Sequence, residues 1–215
     1  MVSALSFTEA GGHAGNEDAF TVRQHPSAPD CWLCLLADGQ GGQSGGGRAA
    51  RLACETALTQ AVGHSPERLA DGATWAAILG RADAAVCADA EAGYTTLVGL
   101  CVVPGAVAGA SCGDSAALLV GGGRTRQLTA AQVKNPPIGS GAATIVPFEA
   151  RLERPWAVLA MSDGVWKHVG WEAVAQAAAT LRGRALLEAL KMRARLPRSG
   201  RFPDDFTLLL LEGTA

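Results

Sequence analysis

An excess of charge of either sign is missing from this chain. Eighteen Lys and Arg stand against twenty Asp and Glu, a formal net charge of -2, which gives no electrostatic reason to bind nucleic acid or an anionic membrane surface. Long apolar runs are missing too. The longest, Cys31 to Ala37, falls well short of the roughly 20 residues needed to cross a bilayer. The opening MVSALSFTEAGG lacks a basic region followed by an apolar stretch and does not read as a secretory signal. The expectation is a mature, cytoplasmic chain with no membrane partner. No internal repeat, low-complexity tract or interdomain linker is evident.

Paired zinc-type ligands are also scarce. Cys31 and Cys34 form a CxxC, but no second pair lies at finger spacing, and the flanking DCWLCLLAD reads as a buried strand. The six cysteines (Cys31, Cys34, Cys54, Cys87, Cys101, Cys112) read as small core hydrophobes in a reduced protein. Cys54, Cys87 and Cys101 fall on apolar faces, as do Trp75, Trp156 and Trp171, and all six are expected in the core. His25, His64 and His168 fall in polar loops or near helix ends and are expected to be solvated.

The 215 residues, 48% hydrophobic and 18% charged, suit one domain over 1–215 with a substantial core. Strand-like segments cover Val2 to Thr8, Ala19 to Gln24, Cys31 to Ala37, Thr95 to Val103, Val107 to Cys112, Ser115 to Val120, Ile145 to Leu152, Trp156 to Met161 and Phe206 to Leu211. Helical patterns run over Ser44 to Val62, Thr74 to Glu91, Trp171 to Leu181 and Arg184 to Arg195. Asn135 to Ala142 reads as a surface loop. Strands in runs and helices in pairs predict an α+β domain of antiparallel sheets covered by helix pairs.

The aspartates carry the chemistry. Asp18 begins a strand, Asp38 ends one, Asp114 sits in a turn between two, Asp163 follows another, and Asp204 with Asp205 precedes the last. A lone carboxylate in a loop usually makes a turn or an N-cap. Stacked sheets, however, bring their loops to common edges, where converging carboxylates repel one another until hard cations relieve them. Oxygen donors without paired His or Cys suit magnesium or manganese rather than zinc.

GNEDAF (Gly15 to Phe20), LLADGQGG (Leu35 to Gly42), YTTLVG (Tyr94 to Gly99), CGDS (Cys112 to Ser115), MSDGVW (Met161 to Trp166) and DDFT (Asp204 to Thr207) resemble, in order, the motif set of the metal-dependent protein phosphatases of the type 2C family. The resemblance spans Phe7 to Leu211. It implies a four-layered α-β-β-α sandwich that hydrolyses phosphoserine and phosphothreonine through a water activated by two bridged manganese or magnesium ions. By matching position, Asp38 resembles the carboxylate bridging both metals, and Gly39 the residue lending a carbonyl to the second. Asp163 and Asp204 resemble ligands of the first metal, Glu17 resembles the residue that reaches the second through water, and Asp114 resembles the ligand of a weaker third site. Asp18 and Asp205 would support the ligands from behind. Such a pair of cations, roughly 3.5–4 Å apart, acidifies a shared water and neutralises phosphoryl charge, so no protein nucleophile is needed. Gly39, Gly41 and Gly42 would let the backbone turn sharply beside the ions.

Four positions depart from the family pattern. His13 stands where most members place the arginine that grips the substrate phosphate, so it is the candidate substrate-binding residue and implies weak capture. Gln40 replaces a histidine, Lys167 an aspartate that helps hold the third metal, and Asp205 an asparagine. The stretch between Asp114 and Asp163 is short, which implies a reduced flap. The expected partner is a phosphorylated protein, such as the target of a bacterial-type Ser/Thr kinase, bound by a monomer. A glycine-rich nucleotide loop at Gly39 to Gly47 fits poorly, because Ser44 interrupts the dinucleotide fingerprint and Asp38 would repel a pyrophosphate. The other alternative is a catalytically weak or inactive relative that acts as a metal- or partner-binding regulator.

Overall fold

Alternation along the longest strands decides the architecture. In the last strand, Leu208 and Leu210 enter one apolar cluster while Leu209 and Leu211 enter another. Successive side chains on a strand point to opposite faces, so a continuous apolar run means a sheet buried on both sides. The same holds for Leu97 and Cys101 against Val98 and Leu100. Each sheet therefore needs a cover on its outer face and a second sheet on its inner face.

The computed structural model, which describes residues 1–12, 15–40 and 45–214, has that form. Its elements are β1 (Val2–Glu9), β2 (Asp18–His25), β3 (Ala28–Asp38), α1 (Gly46–Ala61), α2 (Pro66–Leu69), α3 (Gly72–Cys87), β4 (Leu97–Val103), β5 (Ala106–Cys112), β6 (Ala116–Gly121), β7 (Arg124–Gln127), β8 (Val146–Arg151), β9 (Trp156–Met161), α4 (Asp163–Val169), α5 (Trp171–Thr180), α6 (Gly183–Ala194) and β10 (Phe206–Gly213). Two five-stranded antiparallel sheets run β1-β10-β9-β6-β7 and β2-β3-β4-β5-β8. Helices α1 and α3 cover the second sheet, and α4 to α6 cover the first. The four-layered α+β sandwich read from the sequence is the fold. Among the described residues no helix is long and apolar enough to cross a membrane.

Helix α3 buries Trp75, Ile78, Leu79, Ala82 and Val86, the face its spacing predicts. Trp75 is fully buried and donates its indole N–H to the Leu69 carbonyl at 2.9 Å; removing such a side chain costs about 3–5 kcal/mol. Trp156 is also buried, whereas Trp171 is partly exposed and stacks on Trp166 at 5.1 Å. The CxxC is split by the strand period: Cys31 belongs to the cluster under the helices and Cys34 to the one between the sheets. The pair cannot share a metal.

Several expectations need correction. Strand β7 reads RTRQ, with no apolar residue to mark it, and exists because it pairs with β6. Helix α4 starts inside the MSDGVW motif, and α2 is a single turn beginning at Pro66. Cys87 is exposed, since it is the last residue of α3. His25 is buried, where its Nδ1 meets the Ser27 amide and hydroxyl at 3.3 and 3.1 Å. The loop Asn135 to Ala142 lies at the surface only in part: Ile138 is fully buried in the cluster under the helices and bridges to Thr95, and the loop is fixed from below. Buried Asp83 accepts from the Gly139, Gly141 and Ala143 amides at 2.7, 3.2 and 3.2 Å.

Candidate active site

Antiparallel pairing sets the first two carboxylates. Asp18 opens β2 and Asp38 closes β3, and the register places them directly opposite each other. The backbone around Asp38 is held from the neighbouring loop. Its amide donates to Thr96 Oγ1 at 3.0 Å, and its carbonyl accepts from Thr95 Oγ1 at 2.8 Å and from the Thr96 amide at 2.9 Å. Thr96 Oγ1 in turn meets Ser115 Oγ at 2.7 Å. The hydroxyls of YTTLVG and CGDS therefore position the carboxylate of a third motif, a role that the sequence reading did not assign to them. Gly39 follows in a tight corner. A Cβ there would stand 2.5 Å from the Gly46 carbonyl carbon, so only glycine lets β3 turn into the loop. Gly41 and Gly42 lie outside the described residues, as does His13.

Asp163 arrives at the first turn of α4, just past β9, and Asp114 in the β5–β6 turn. The Trp166 indole N–H pins that turn by donating to the Asp114 carbonyl at 2.9 Å. Asp204 and Asp205 precede β10, where the chain from Gly11 packs so closely that a Cβ on Gly11 would fall 2.0 Å from the Asp204 carbonyl carbon. Asp205 is buried and accepts from the amides of Gly11 at 2.8 Å and Glu17 at 2.7 Å. Its charge is thus spent on holding the loop that presents Glu17.

Glu17, Asp38, Gly39, Asp114, Asp163, Asp204 and Asp205 line one pocket of about 320 Å³, joined by Gln40, Thr95, Thr96, Lys134 and Asn135. Asp18 lies behind it. Its Oδ2 accepts from Thr207 Oγ1 at 2.5 Å, while its buried Oδ1 has no partner among the described residues. Burial raises the Asp38 carboxyl to about 9, and the charges of Asp18, Asp163, Asp204 and Asp114 add to the shift. Burial likewise raises Asp18 to about 7, against the hydrogen bond from Thr207. These are acids that ionise only at a cost, because among the described residues no cation pairs with either of them.

One side of the pocket carries its own counter-charge. Asp114 Oδ2 accepts from Lys134 Nζ at 2.8 Å and from Lys167 Nζ at 3.2 Å, and Lys167 also pairs with Asp163. Burial pushes Asp114 up, but the two lysines outweigh it and leave the carboxyl below its usual range. Burial lowers Lys167, yet its bonds to Asp163 and Asp114 leave it raised. Arg48 is committed elsewhere, to Asp89 and Glu91.

The donor set fits hard divalent cations: the side-chain donors are carboxylate oxygens, the orphaned and buried Asp18 Oδ1 stands behind them, and Asp38 is disfavoured as an anion until a cation arrives. Among the described residues, no three His, Cys, Asp or Glu side chains are drawn together into a ready-made cage. Mutual repulsion and the Lys167 bridge are consistent with that spacing.

The fold is shared with bacterial serine/threonine phosphatases of known structure. Stp1 from Staphylococcus aureus superposes with a TM-score of 0.78 at 18% identity, over 100% of this chain and 96% of that one. PstP from Mycobacterium tuberculosis gives 0.76 at 20%, over 100% and 99%. RsbX, in its complex with magnesium, gives 0.75 at 15%, over 98% and 94%. No match was found among curated proteins. At such identities the superpositions establish the fold, and kinship rests on the sequence itself: residues 12–196, from just before the Glu17 loop through α6, match the protein phosphatase 2C family, and the chain belongs to it.

Proposed function

We propose that this chain is a metal-dependent protein serine/threonine phosphatase that hydrolyses phosphoserine and phosphothreonine monoesters to the alcohol and inorganic phosphate. The observation that carries the reading is the convergence of Asp38, Asp114, Asp163 and Asp204, from four separate strand ends, on one pocket whose central acid resists ionisation. The resident group is a pair of manganese or magnesium ions; PstP is known with two manganese ions and RsbX with magnesium. When bound, such ions supply Lewis acidity toward water and the phosphoryl oxygens.

In this reading the chain's own residues divide the remaining work. Asp38, with Gly39 beside it, and Asp163 and Asp204 would hold the ions, and Glu17 would support them from the rim of the same pocket. Asp18 and Asp205 keep these groups in place. Lys134 is the one cationic side chain among the described pocket-lining residues, and with Asn135 it receives the phosphate of the substrate. Residues 1–215 act as one cytoplasmic, monomeric domain, opposing a bacterial-type Ser/Thr kinase in signalling.

Hydrolysis of an aryl phosphate by the purified protein should vanish with excess chelator and return with manganese better than with calcium, because the chemistry needs compact ions that acidify water. Full turnover in chelator would overturn the reading.

Lys167 limits the number of ions. Its ammonium, bonded to both Asp114 and Asp163, takes the place of a third cation. Manganese titration followed by electron paramagnetic resonance should give two tight sites in the native protein and a further one in Lys167→Asp. A third tight site in the native protein would contradict this. The same pairing favours one alternative, a catalytically weak regulator that binds metal or a partner; tight manganese binding with no turnover would establish it.

A further inference from the structure

A second cavity, of about 500 Å³, shares no lining residue with the carboxylate pocket. It lies where the two sheets open at one side, between β7, the last strand of the first sheet, and β8, the last of the second. Its lining combines the apolar Leu119 and Ala150 with Arg124, Arg126, Arg151 and Glu153. Register sets the direction of two of the arginines. Arg126 pairs with Leu119 and Arg124 with Gly121, so both share a face with Leu119, which packs into the cluster between the sheets. Where the strand pattern would place apolar side chains, the chain places two guanidinium groups.

Among the described residues, none of the three arginines forms an ion pair. Three cations against one carboxylate give this cleft a local excess of positive charge in a chain of net charge -2. Edge arginines can simply discourage strand-to-strand aggregation, but a cavity of this size flanked by two free strand edges is also shaped for an extended polypeptide.

We propose that this cleft docks an acidic segment of the phosphoprotein substrate, which adds along the free edge of β7 with its carboxylates on Arg124, Arg126 and Arg151. The inference rests on the phosphatase reading for the identity of the partner, but its binding test does not. Strand β6 runs from the Asp114 turn to Gly121 at the cleft, a span of about 20 Å at roughly 3.3 Å per residue. A segment seated there therefore lies at least about six extended residues from the phosphorylated side chain.

The test uses the full chain and a fluorescein-labelled, Glu-rich peptide without phosphate, followed by anisotropy. Saturable binding is expected, equal in native protein and Asp38→Asn, and weakened about tenfold or more in Arg124→Glu/Arg126→Glu and by added salt. Arg124→Gln/Arg126→Gln, checked by circular dichroism for an intact fold, should lose affinity to a lesser degree. In turnover, the charge-reversed protein should show unchanged kinetics with an aryl phosphate and a raised KM for a phosphopeptide bearing a distant Glu tract. Absence of saturable peptide binding, or binding indifferent to both arginine pairs, would overturn the proposal. So would tripolyphosphate binding at the cleft while the peptide fails to bind. Loss of all turnover with peptide binding intact would count against the phosphatase reading alone.

Discussion

Asp38→Asn should lower turnover of an aryl phosphate by about a thousandfold or more, a loss of about 4 kcal/mol of transition-state stabilisation, while making the metal-free fold more stable. The first effect follows from the role proposed for Asp38: if one side chain holds both ions, its loss removes the geometry rather than a single contact. The second follows from the raised acids. A carboxyl whose pKa lies higher in the folded than in the unfolded chain contributes stability below its unfolded value and loses it as pH rises through the folded value. Asp18 and Asp38 stand at about 7 and about 9, so in chelator the native protein should lose stability from the ordinary carboxylate range near about pH 4 upward, until about pH 7 for Asp18 and about pH 9 for Asp38. The variant should lose less, with its gain in Tm growing toward the alkaline end. Thermal melts in chelator across pH check this. A variant that melts lower at every pH would show that Asp38 is a structural residue.

Asp205→Ala should cost about 3 kcal/mol, or a fall in Tm of roughly 6–12 °C, since it strips a charged acceptor from two backbone amides. The bonds lost are those to Gly11 and Glu17, which fasten the first loop to the last. Freed, that loop no longer presents Glu17, and manganese affinity should fall about 10- to 100-fold. Asp205→Asn keeps one acceptor oxygen and should recover part of both losses. Melting and metal titration of the two variants separate this role from a simple charge effect, in which Ala and Asn would behave alike.

Much of this was legible in the sequence because strands buried on both faces advertise themselves as short, nearly continuous apolar runs. Asp38 at the end of Cys31 to Ala37, and Asp204 just before the run that Phe206 opens, could be placed at strand ends by where those runs stop. What escaped was structure held by pairing rather than by pattern. Strand β7 has a polar, exposed sequence and exists through its partner β6. The motif put Asp205 behind the ligands but not what it holds: its oxygens face amides more than 180 residues away in sequence, a contact that no local pattern encodes. Thr95, Thr96 and Ser115 were quoted within motifs, but only the meeting of three loops reveals that they hold Asp38. The burial of His25 depends on a two-residue turn folding back on its own strand.

The first sheet places β10 between β1 and β9, with Val2 opposite Gly213. During synthesis the opening strand therefore waits for nearly the whole chain before its hydrogen-bonding edge is covered. Folding must close a contact of very high sequence separation, a feature that slows small domains toward the millisecond-to-second range. Until then β1 and β9 are open templates for misassociation. Because Asp204 travels immediately ahead of β10, the strand that closes the sheet also delivers a carboxylate of the pocket, and a nascent chain stopped short of it would lack both.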